Sequence, residues 1–313
     1  MRTVSEDVNI RKITLAAEMY YIYDMSQKQI AERLGVSRPW VSKLLKRAKE
    51  AGIVRIDINS PLAGMPEVEQ RIMNKYRINR VTVIRPMVNG DYTNISMAAA
   101  NYLVSHIRPD DTIGVSWGTS IASMIDHVVE MQLPKVTLVP IVGGAGSDAD
   151  CLSNVCTNRL ANILGAQCHL IHVNACCADQ KEYQVMMSNQ GIKDVIERGE
   201  HADLVLVGIG DVAHSRIMEY DYVTEKDRED IEKAGVVGDI GFRFFDKGGE
   251  VADIDFNKRV VACDLTAMRK NAREVIAIAY GSHKADAIKA ALKGGLITTL
   301  FTDYETARIL ADY

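Results

Sequence analysis

The chain has 313 residues, of which 47% are hydrophobic and 25% are charged, with a formal net charge of −4. This composition is typical of a soluble globular protein, and the length favours a small domain joined to a larger one. The longest apolar runs are strand-sized, far below the ~20 residues of a membrane span, and the N-terminus carries no export signal, so we expect a cytoplasmic protein without membrane contact.

The net charge hides an uneven distribution along the chain. Residues 26–60 hold eight basic and three acidic side chains, whereas residues 61–313 hold 26 basic and 34 acidic ones. A basic head joined to an acidic body is typical of a DNA-binding module fused to a domain that does not bind DNA. The charge pattern therefore favours a nucleic-acid partner for the head alone.

Three short helices are predicted in the head. Residues 10–23 carry apolar side chains at helical spacing, and Ser26 with Gln29 forms a capping-box pattern at the start of a second helix. That helix is expected to end at Gly35, because glycine tolerates a positive φ, and Ser37 is expected to cap a third helix. Two helices joined by such a tight turn predict a helix-turn-helix at residues 26–50.

The third helix is predicted to have two distinct faces. Steps of about 100° per residue place Val41, Leu44, Leu45 and Ala48 on one apolar stripe, which is suited to packing on the preceding helices. The opposite face carries donors and cations of the kind that contact bases and phosphates. A solvated charged face is the alternative, but the caps, the turn, the stripe and the charge excess all favour DNA binding. The predicted DNA contacts are Gln27, Lys28, Ser37, Arg38, Pro39, Trp40, Ser42, Lys43, Lys46 and Arg47.

The boundary between the two domains is predicted from the residues after the third helix. Residues 53–58 alternate apolar and polar side chains from Val54 onward, which predicts a strand in a small wing. Two prolines and a glycine make residues 59–66 the predicted linker. We therefore expect a winged helix-turn-helix domain at residues 1–58 and a larger domain at residues 67–313.

The larger domain alternates strand-like and helix-like segments, which predicts an α/β fold with a mostly parallel sheet covered on both faces. Strands are expected at residues 81–85, 112–116, 136–142, 204–208, 236–240, 274–279 and 297–301. Helices are expected near residues 94–107, 119–131, 152–164, 225–234, 284–293 and 303–311.

Cysteine and histidine spacing gives no indication of a metal site. The six cysteines include no Cys-x-x-Cys pair and no zinc-type spacing with histidine. His169 and His172 are close in sequence, but on a strand their side chains would point to opposite faces. We therefore expect neither a metal nor a cofactor.

Seven short motifs are spread over essentially the whole chain. They are residues 26–38 (SQKQIAERLGVSR), 114–119 (GVSWGT), 139–144 (VPIVGG), 207–210 (VGIG), 237–240 (VGDI), 243–246 (RFFD) and 281–284 (GSHK). Together these motifs resemble the SorC family of bacterial regulators of sugar catabolism, within the wider DeoR-like group. The resemblance implies an effector domain similar to sugar-phosphate isomerases and deaminases, a phosphorylated sugar or related metabolite as effector, and dimers or tetramers on operator DNA.

Two glycine-containing loops are expected to hold the phosphate of such an effector. Residues 114–120 and 143–147 offer backbone N–H groups and hydroxyls at strand ends, where α/β sheets usually bind ligands. Lys284 would place a cation on the same phosphate, and Asp239 would accept hydrogen bonds from sugar hydroxyls. The alternative for each loop is a tight structural turn. The predicted effector contacts are Ser116, Gly118, Thr119, Ser120, Gly143, Gly144, Ala145, Asp239 and Lys284.

One departure from the family bears on the mode of binding. Some members carry a lysine just before the Gly-Gly pair that can form a Schiff base with an aldehyde sugar, whereas this chain has Val142 there. The resemblance therefore implies noncovalent binding. Roles for Asp211, Arg243 and Asp246 remain open between binding and structure.

Two other functional classes explain the sequence less well. An isomerase or deaminase would need an acid and a base at a convincing spacing, and the loops offer mainly phosphate and hydroxyl contacts. Asp211 with Asp239 or His283 is the pair such an enzyme would use. A purely architectural DNA binder leaves the large acidic domain without a role. We therefore predict a regulator of carbohydrate or polyol catabolism and not an enzyme.

Overall fold

The computed structural model describes residues 4–54, 64–86, 90–144, 152–220 and 222–312, with the side chains of residues 4–9 and 216 excepted. The chain divides into two compact units, Met1–Ser60 and Pro61–Tyr313. Among the residues described, no helix is both long enough and apolar enough to span a membrane.

The first unit is built from helices around a small apolar core. The predicted stripe of the third helix is buried, since Val41 and Ala48 are fully enclosed and Leu44 is 2% exposed. Ile13 and Ile30, from the two preceding helices, complete the same core. The helices are α1 (Val4–Tyr21), α2 (Gln27–Leu34) and α3 (Arg38–Glu50).

Local capping sets the ends of these helices. The Ser26 hydroxyl accepts a hydrogen bond from the Gln29 N–H at 3.3 Å, while Gln29 Oε1 accepts one from the Ser26 N–H at 2.9 Å. Gly35 ends α2 with φ at +64°, and the Ser37 hydroxyl accepts from the Trp40 N–H at 3.4 Å. The predicted caps and turn are confirmed.

The predicted wing strand at residues 53–58 falls mostly outside the described residues. Ile53 and Val54, which are described, do not belong to a strand. In this unit, the described residues that bear on DNA binding are therefore those of the helix-turn-helix.

A seven-stranded sheet forms the centre of the second unit. All its neighbouring strands run parallel, in the order β1-β10-β9-β5-β2-β3-β4. A separate antiparallel sheet contains β6, β7 and β8. The strands are β1 (Arg80–Ile84), β2 (Thr112–Val115), β3 (Thr137–Pro140), β4 (Gln167–Cys168), β5 (Leu204–Val207), β6 (Gly210–Asp211), β7 (Val236–Ile240), β8 (Arg243–Asp246), β9 (Glu274–Ile278) and β10 (Thr299–Asp303).

Apolar clusters cover both faces of the parallel sheet. Along β5, Leu204 and Leu206 belong to one cluster while Val205 and Val207 belong to the other. This alternation follows the two-residue period of a strand buried on both faces. The helices of this unit are α4 (Pro66–Tyr76), α5 (Thr93–His106), α6 (Thr119–Ile125), α7 (Ser153–Leu164), α8 (Gln180–Ser188), α9 (Gln190–Glu200), α10 (Glu225–Lys233), α11 (Asp255–Lys258), α12 (Leu265–Asn271), α13 (Ala285–Lys293) and α14 (Tyr304–Leu310).

The α/β fold with a mostly parallel sheet is confirmed, but two predicted elements differ. The strand at residues 236–240 pairs with β6 and β8 in the antiparallel sheet instead of joining the parallel one. The helix expected at residues 119–131 ends at Ile125. Beyond it, the N–H groups of Met131 and Leu133 donate to the carbonyls of Ile163 and Leu164 at the end of α7. If the helix continued, these two carbonyls would lose those donors.

A two-residue turn joins β7 to β8 and fixes the position of Asp239. Gly241 and Phe242 both have positive φ, at +56° and +68°, as a tight hairpin turn requires. Phe242 is fully buried against Trp117, with ring centroids 4.8 Å apart. This packing holds the turn, and with it the end of β7, against the loop that follows β2.

A buried ion pair joins three segments of the second unit. The guanidinium of Arg259 donates to Asp227 Oδ2 at 2.5 Å and to the Cys177 carbonyl at 2.7 Å, and the two charged side chains are only 3% and 5% exposed. Burial alone would raise the pKa of Asp227, but hydrogen bonds from Arg259 and Thr224 outweigh burial and lower it. The pair therefore ties α10 to the segments around Arg259 and Cys177.

Candidate functional site

A cavity of about 180 Å³ lies at the carboxyl ends of three adjacent strands of the parallel sheet. Residues 117–120 follow β2, residues 208–211 follow β5 and residues 283–284 follow β9. Asp239 and Gly241 from the hairpin, together with residues 214–215, complete the lining.

The cavity lies where the strand order changes direction. β2 and β5 are neighbours, but the chain leads from β2 to β3 on one side, while β5 lies next to β9 on the other. Open α/β sheets bind ligands at such points, outside the carboxyl ends of the strands. The loops after β2 and β5 touch there, since a methyl group built on Gly208 would lie 3.3 Å from the Ser120 Oγ.

Asp239 is a buried carboxyl group in the cavity lining. It is 3% exposed, and its Oδ2 accepts a hydrogen bond from the Phe242 N–H at 3.3 Å. Burial raises the pKa of Asp239 to about 6, against the opposing effects of the Phe242 hydrogen bond and the Lys284 charge. The carboxyl group fits only because residue 210 is glycine, since a Cβ there would lie 1.9 Å from Oδ1 of Asp239.

Lys284 brings a cation to the same cavity. Burial lowers the pKa of Lys284, and the carboxylates of Asp239 and Asp211 oppose that shift. Within the described ranges its ammonium group forms no hydrogen bond or ion pair with another residue. A desolvated cation without a direct partner is a strong site for an anionic group.

The loop after β2 adds hydroxyl and backbone groups. Gly118 has φ at +117° and leads directly into α6, where Thr119 and Ser120 line the cavity. Ser116 is 1% exposed, and its Oγ has no hydrogen-bond partner in the described part of the chain. A methyl group built on Gly241 would lie 4.0 Å from that Oγ, so Ser116 lies just behind the cavity wall.

The described part of the second predicted glycine loop, Gly143 and Gly144, does not line the cavity. The N–H groups of Gly143 and Gly144 donate to the carbonyls of Val261 and Val173 at 2.9 and 2.8 Å. Their donors already have backbone partners, which differs from the expectation that they hold an anion. Ala145 lies outside the described residues.

Several cavity residues were missed or left open by the sequence prediction. His214 and Ser215 lie on a turn with no recognisable motif, so no pattern in the sequence pointed to them. Asp211 and His283 also line the cavity, whereas Arg243 and Asp246 do not. Arg243 donates to backbone carbonyls, and Asp246 accepts from N–H groups of its own turn.

The other predicted surface lies on α2 and α3 of the first unit. Opposite the buried stripe of α3, the predicted contacts are exposed, and Gln27 at the start of α2 is half-buried. Trp40 is 41% exposed, with the Lys43 ammonium 5.6 Å from its ring centroid. Lys46 pairs with Glu50 at 3.8 Å on the solvent side. The face therefore presents an aromatic ring and several cations together.

Comparison with known proteins gives matches to both units. Residues 60–311 match the sugar-binding domain family model Sugar-bind, and residues 3–55 match the homeodomain-like family HTH_23. The sorbitol operon regulator of Klebsiella pneumoniae is 30% identical, over 96% of this chain and 98% of the relative. The crystal structure of that full-length regulator, SorC, superposes with a TM-score of 0.75 over 96% of this chain and 98% of its own. The chain belongs to the SorC family.

Other similar proteins are regulators as well. The deoxyribonucleoside regulator of Bacillus subtilis is 29% identical over 95% of this chain and 96% of the relative. The transcriptional regulator LsrR of Escherichia coli is 30% identical over 95% of this chain and 93% of the relative. This SorC-family chain is thus a transcriptional regulator with a helix-turn-helix and a sugar-binding domain. The predicted family is confirmed, as is the prediction of a regulator rather than an enzyme.

Proposed function

We propose that the cavity binds a phosphorylated sugar or polyol noncovalently, and that this binding controls how α2 and α3 engage operator DNA. The observation that carries the proposal is that one cavity contains both the ammonium group of Lys284, which has no hydrogen-bond or ion-pair partner among the described residues, and the buried carboxyl group of Asp239. A cation that can bind a phosphate lies beside a carboxyl group that can accept hydrogen bonds from hydroxyls. These two groups match the two chemical ends of a phosphorylated polyol.

The phosphate is assigned to Lys284 and the loop after β2. Thr119 and Ser120 add hydroxyls, and the glycine at 118 leaves its backbone open to close approach. Ser116 stands behind this loop with an unused hydroxyl. Gly143 and Gly144 remain predicted contacts that do not line the cavity, and Ala145 remains a predicted contact outside the described residues.

The polyol part is assigned to Asp239. One of its oxygens accepts from Phe242, which leaves Oδ1 for ligand hydroxyls. Two relatives are named as a sorbitol operon regulator and a deoxyribonucleoside regulator, and these names agree with a small polyhydroxylated ligand. Noncovalent binding agrees with Val142, which is fully buried and has no amine to form an imine.

A ligand screen on the full-length protein tests this assignment. The terminal phosphate esters of sorbitol, ribose and deoxyribose should each be compared with the same compound lacking phosphate. A ligand that binds the folded state raises the melting temperature in proportion to ln(1 + [L]/Kd), so at least one ester should raise it and its parent compound should not. Equal shifts from the parent compounds would remove the phosphate from the proposal.

Replacing Gly210 with alanine should disrupt the site from within. The new methyl group would lie 1.9 Å from Oδ1 of Asp239, so the carboxyl group must move. We expect binding of the best ester to weaken by roughly tenfold or more, because a buried hydrogen bond is lost. Isothermal titration calorimetry measures the change. Gly191→Ala is the control, because Gly191 lies outside the cavity and its new methyl group would meet only the Asn189 side-chain oxygen, at 3.3 Å, so that only a shift of a few tenths of an ångström is needed. If Gly210→Ala binds the ester as tightly as the wild type does, the geometry is contradicted.

For DNA, we propose that the start of α3 reads bases and that other cations hold phosphates. Arg38, Trp40, Ser42 and Lys43 are assigned to base contacts near the N-terminus of the helix, beside Ser37 and Pro39. Lys28, Lys46 and Arg47 are assigned to phosphates, with Gln27 next to them at the start of α2.

Lys46→Ala should weaken binding to every DNA sequence by a similar factor. Loss of one phosphate contact reduces the slope of log K against log salt by roughly one unit. Fluorescence anisotropy at several salt concentrations measures that slope. Lys233→Ala is a matched control, since Lys233 forms a similar exposed pair with Glu229 four residues away in the other unit. An unchanged slope for Lys46→Ala would remove Lys46 from the phosphate contacts.

We further propose that the protein acts in the cytoplasm as a homodimer or tetramer on paired half-sites. A ligand shifts such an assembly only if it binds one arrangement more tightly than another. The effector would thereby change the spacing of the paired helix-turn-helix units. Sedimentation equilibrium of the protein on a labelled DNA fragment, with and without the ester, tests the assembly, and a monomer on DNA would contradict it.

A further inference from the structure

A carboxylate–histidine pair lines the cavity beyond the contacts proposed above. Oδ2 of Asp211 accepts a hydrogen bond from Nδ1 of His214 at 2.5 Å, and its Oδ1 accepts one from the Ala213 N–H at 3.0 Å. The Asp211 side chain is 11% exposed, whereas that of His214 is 66% exposed. Both carboxylate oxygens are thus engaged by the turn after β6, so Asp211 positions His214.

This pairing determines which ring nitrogen is available. A carboxylate only accepts hydrogen bonds, so the proton of neutral His214 lies on Nδ1 and Nε2 is left as an acceptor. The ring of His283, from the turn after β9, meets the His214 ring edge to face with centroids 5.2 Å apart. Both imidazoles line the cavity that contains Lys284.

We infer that Asp211 positions His214 so that Nε2 accepts a hydrogen bond from an effector hydroxyl, and that this contact distinguishes a phosphorylated polyol from free phosphate. The inference rests on the proposed function, because it takes the phosphate to be held by Lys284. A hydroxyl suits this position better than a second anion, since the carboxyl groups of Asp211 and Asp239 line the same cavity.

Two substitutions at His214 separate recognition from structure. Asparagine places its amide near the position of Nδ1, so His214→Asn keeps the bond to Asp211 and loses the ligand acceptor. Glutamine reaches the position of Nε2, so His214→Gln keeps the acceptor and loses the bond to Asp211. Calorimetry on the full-length protein should compare inorganic phosphate with the terminal phosphate esters of sorbitol, ribose and deoxyribose.

The wild type is expected to prefer at least one ester to inorganic phosphate. His214→Asn should reduce that preference roughly tenfold, with the affinity for inorganic phosphate unchanged. His214→Gln and Asp211→Ala should each lose only part of the preference, because the acceptor at the position of Nε2 remains in both variants but Asp211 no longer holds it in place. Rescue by glutamine and not by asparagine is a signature that a purely structural role would not produce.

Other outcomes show whether the His214 contact or the phosphate assignment is wrong. If the ester binds and both His214 variants keep the preference, or if asparagine rescues and glutamine does not, the inference is overturned and the proposed function stands. If Lys284→Met leaves all affinities unchanged, or if the wild type binds neither phosphate nor any ester, the phosphate assignment fails and the inference fails with it.

Discussion

Lys284→Met is expected to weaken binding of the phosphorylated effector by roughly 10- to 100-fold, the range for loss of one charge-assisted hydrogen bond. Lys284 lines the cavity, and its ammonium group has no hydrogen-bond or ion-pair partner in the described part of the chain. Its full interaction energy is therefore available to the ligand. Calorimetry with the ester that raises the melting temperature most gives the dissociation constants of the wild type and the variant, and therefore their ratio.

The same substitution should leave the ligand-free protein at least as stable as the wild type. Burial lowers the pKa of Lys284, which means that the fold disfavours the charged form. Methionine has a similar length and no charge, so it removes that cost. Lys293→Met, at the exposed end of α13, is the control for both measurements. Undiminished affinity in Lys284→Met, with the control behaving as the wild type, would place the phosphate elsewhere.

Asp227→Ala is expected to lower the unfolding free energy of the second unit by about 3–5 kcal/mol, which is the range for removing one partner of a buried ion pair. The substitution leaves the guanidinium of Arg259 buried without its hydrogen-bonded carboxylate, and the partly exposed Asp255 at 3.9 Å remains as its ion-pair partner. Urea unfolding followed by Trp117 fluorescence measures the effect, in a Trp40→Phe background that removes the only other tryptophan. The unfolding free energy is compared with that of the background protein.

Two further measurements distinguish the ion pair from simple packing. The double variant Asp227→Leu with Arg259→Met should recover much of the loss, because no charge remains buried. The pKa of Asp227 is lowered in the fold, so the pair stabilises fully above the ordinary carboxyl pKa, about 4. Its contribution is then lost as the pH falls through the lower folded value. A single variant as stable as the background would contradict this role.

Local patterns made the helix-turn-helix predictable from sequence. The Ser26 cap, the Gly35 turn and the apolar stripe of α3 each depend on residues close together in the chain, and each is present in the structure. The parallel sheet was predictable for a related reason, since strands such as β5 are apolar throughout and buried on both faces. Short-range physics determines these elements.

The cavity was predictable only in part because long-range packing assembles it. Thr119, Ser120 and Lys284 follow recognisable strands, whereas His214 depends on its hydrogen bond to Asp211. Gly143, like Gly118, lies in a glycine-containing loop after a strand. Its N–H group, however, donates a hydrogen bond to the carbonyl of Val261, far along the chain. No local pattern separates a glycine in the cavity lining from one whose N–H group donates to a distant backbone carbonyl.

One titration tests whether ligand binding in the cavity changes the affinity of the protein for DNA. A DNA fragment selected from a random pool by the full-length protein is labelled, and its anisotropy is followed with and without a saturating ester. The ester is expected to change the Kd for DNA by roughly fivefold or more in the wild type, and Lys284→Met should show no change at the same ester concentration. If an ester binds the wild type in calorimetry and leaves the Kd for DNA unchanged, the cavity does not control DNA binding.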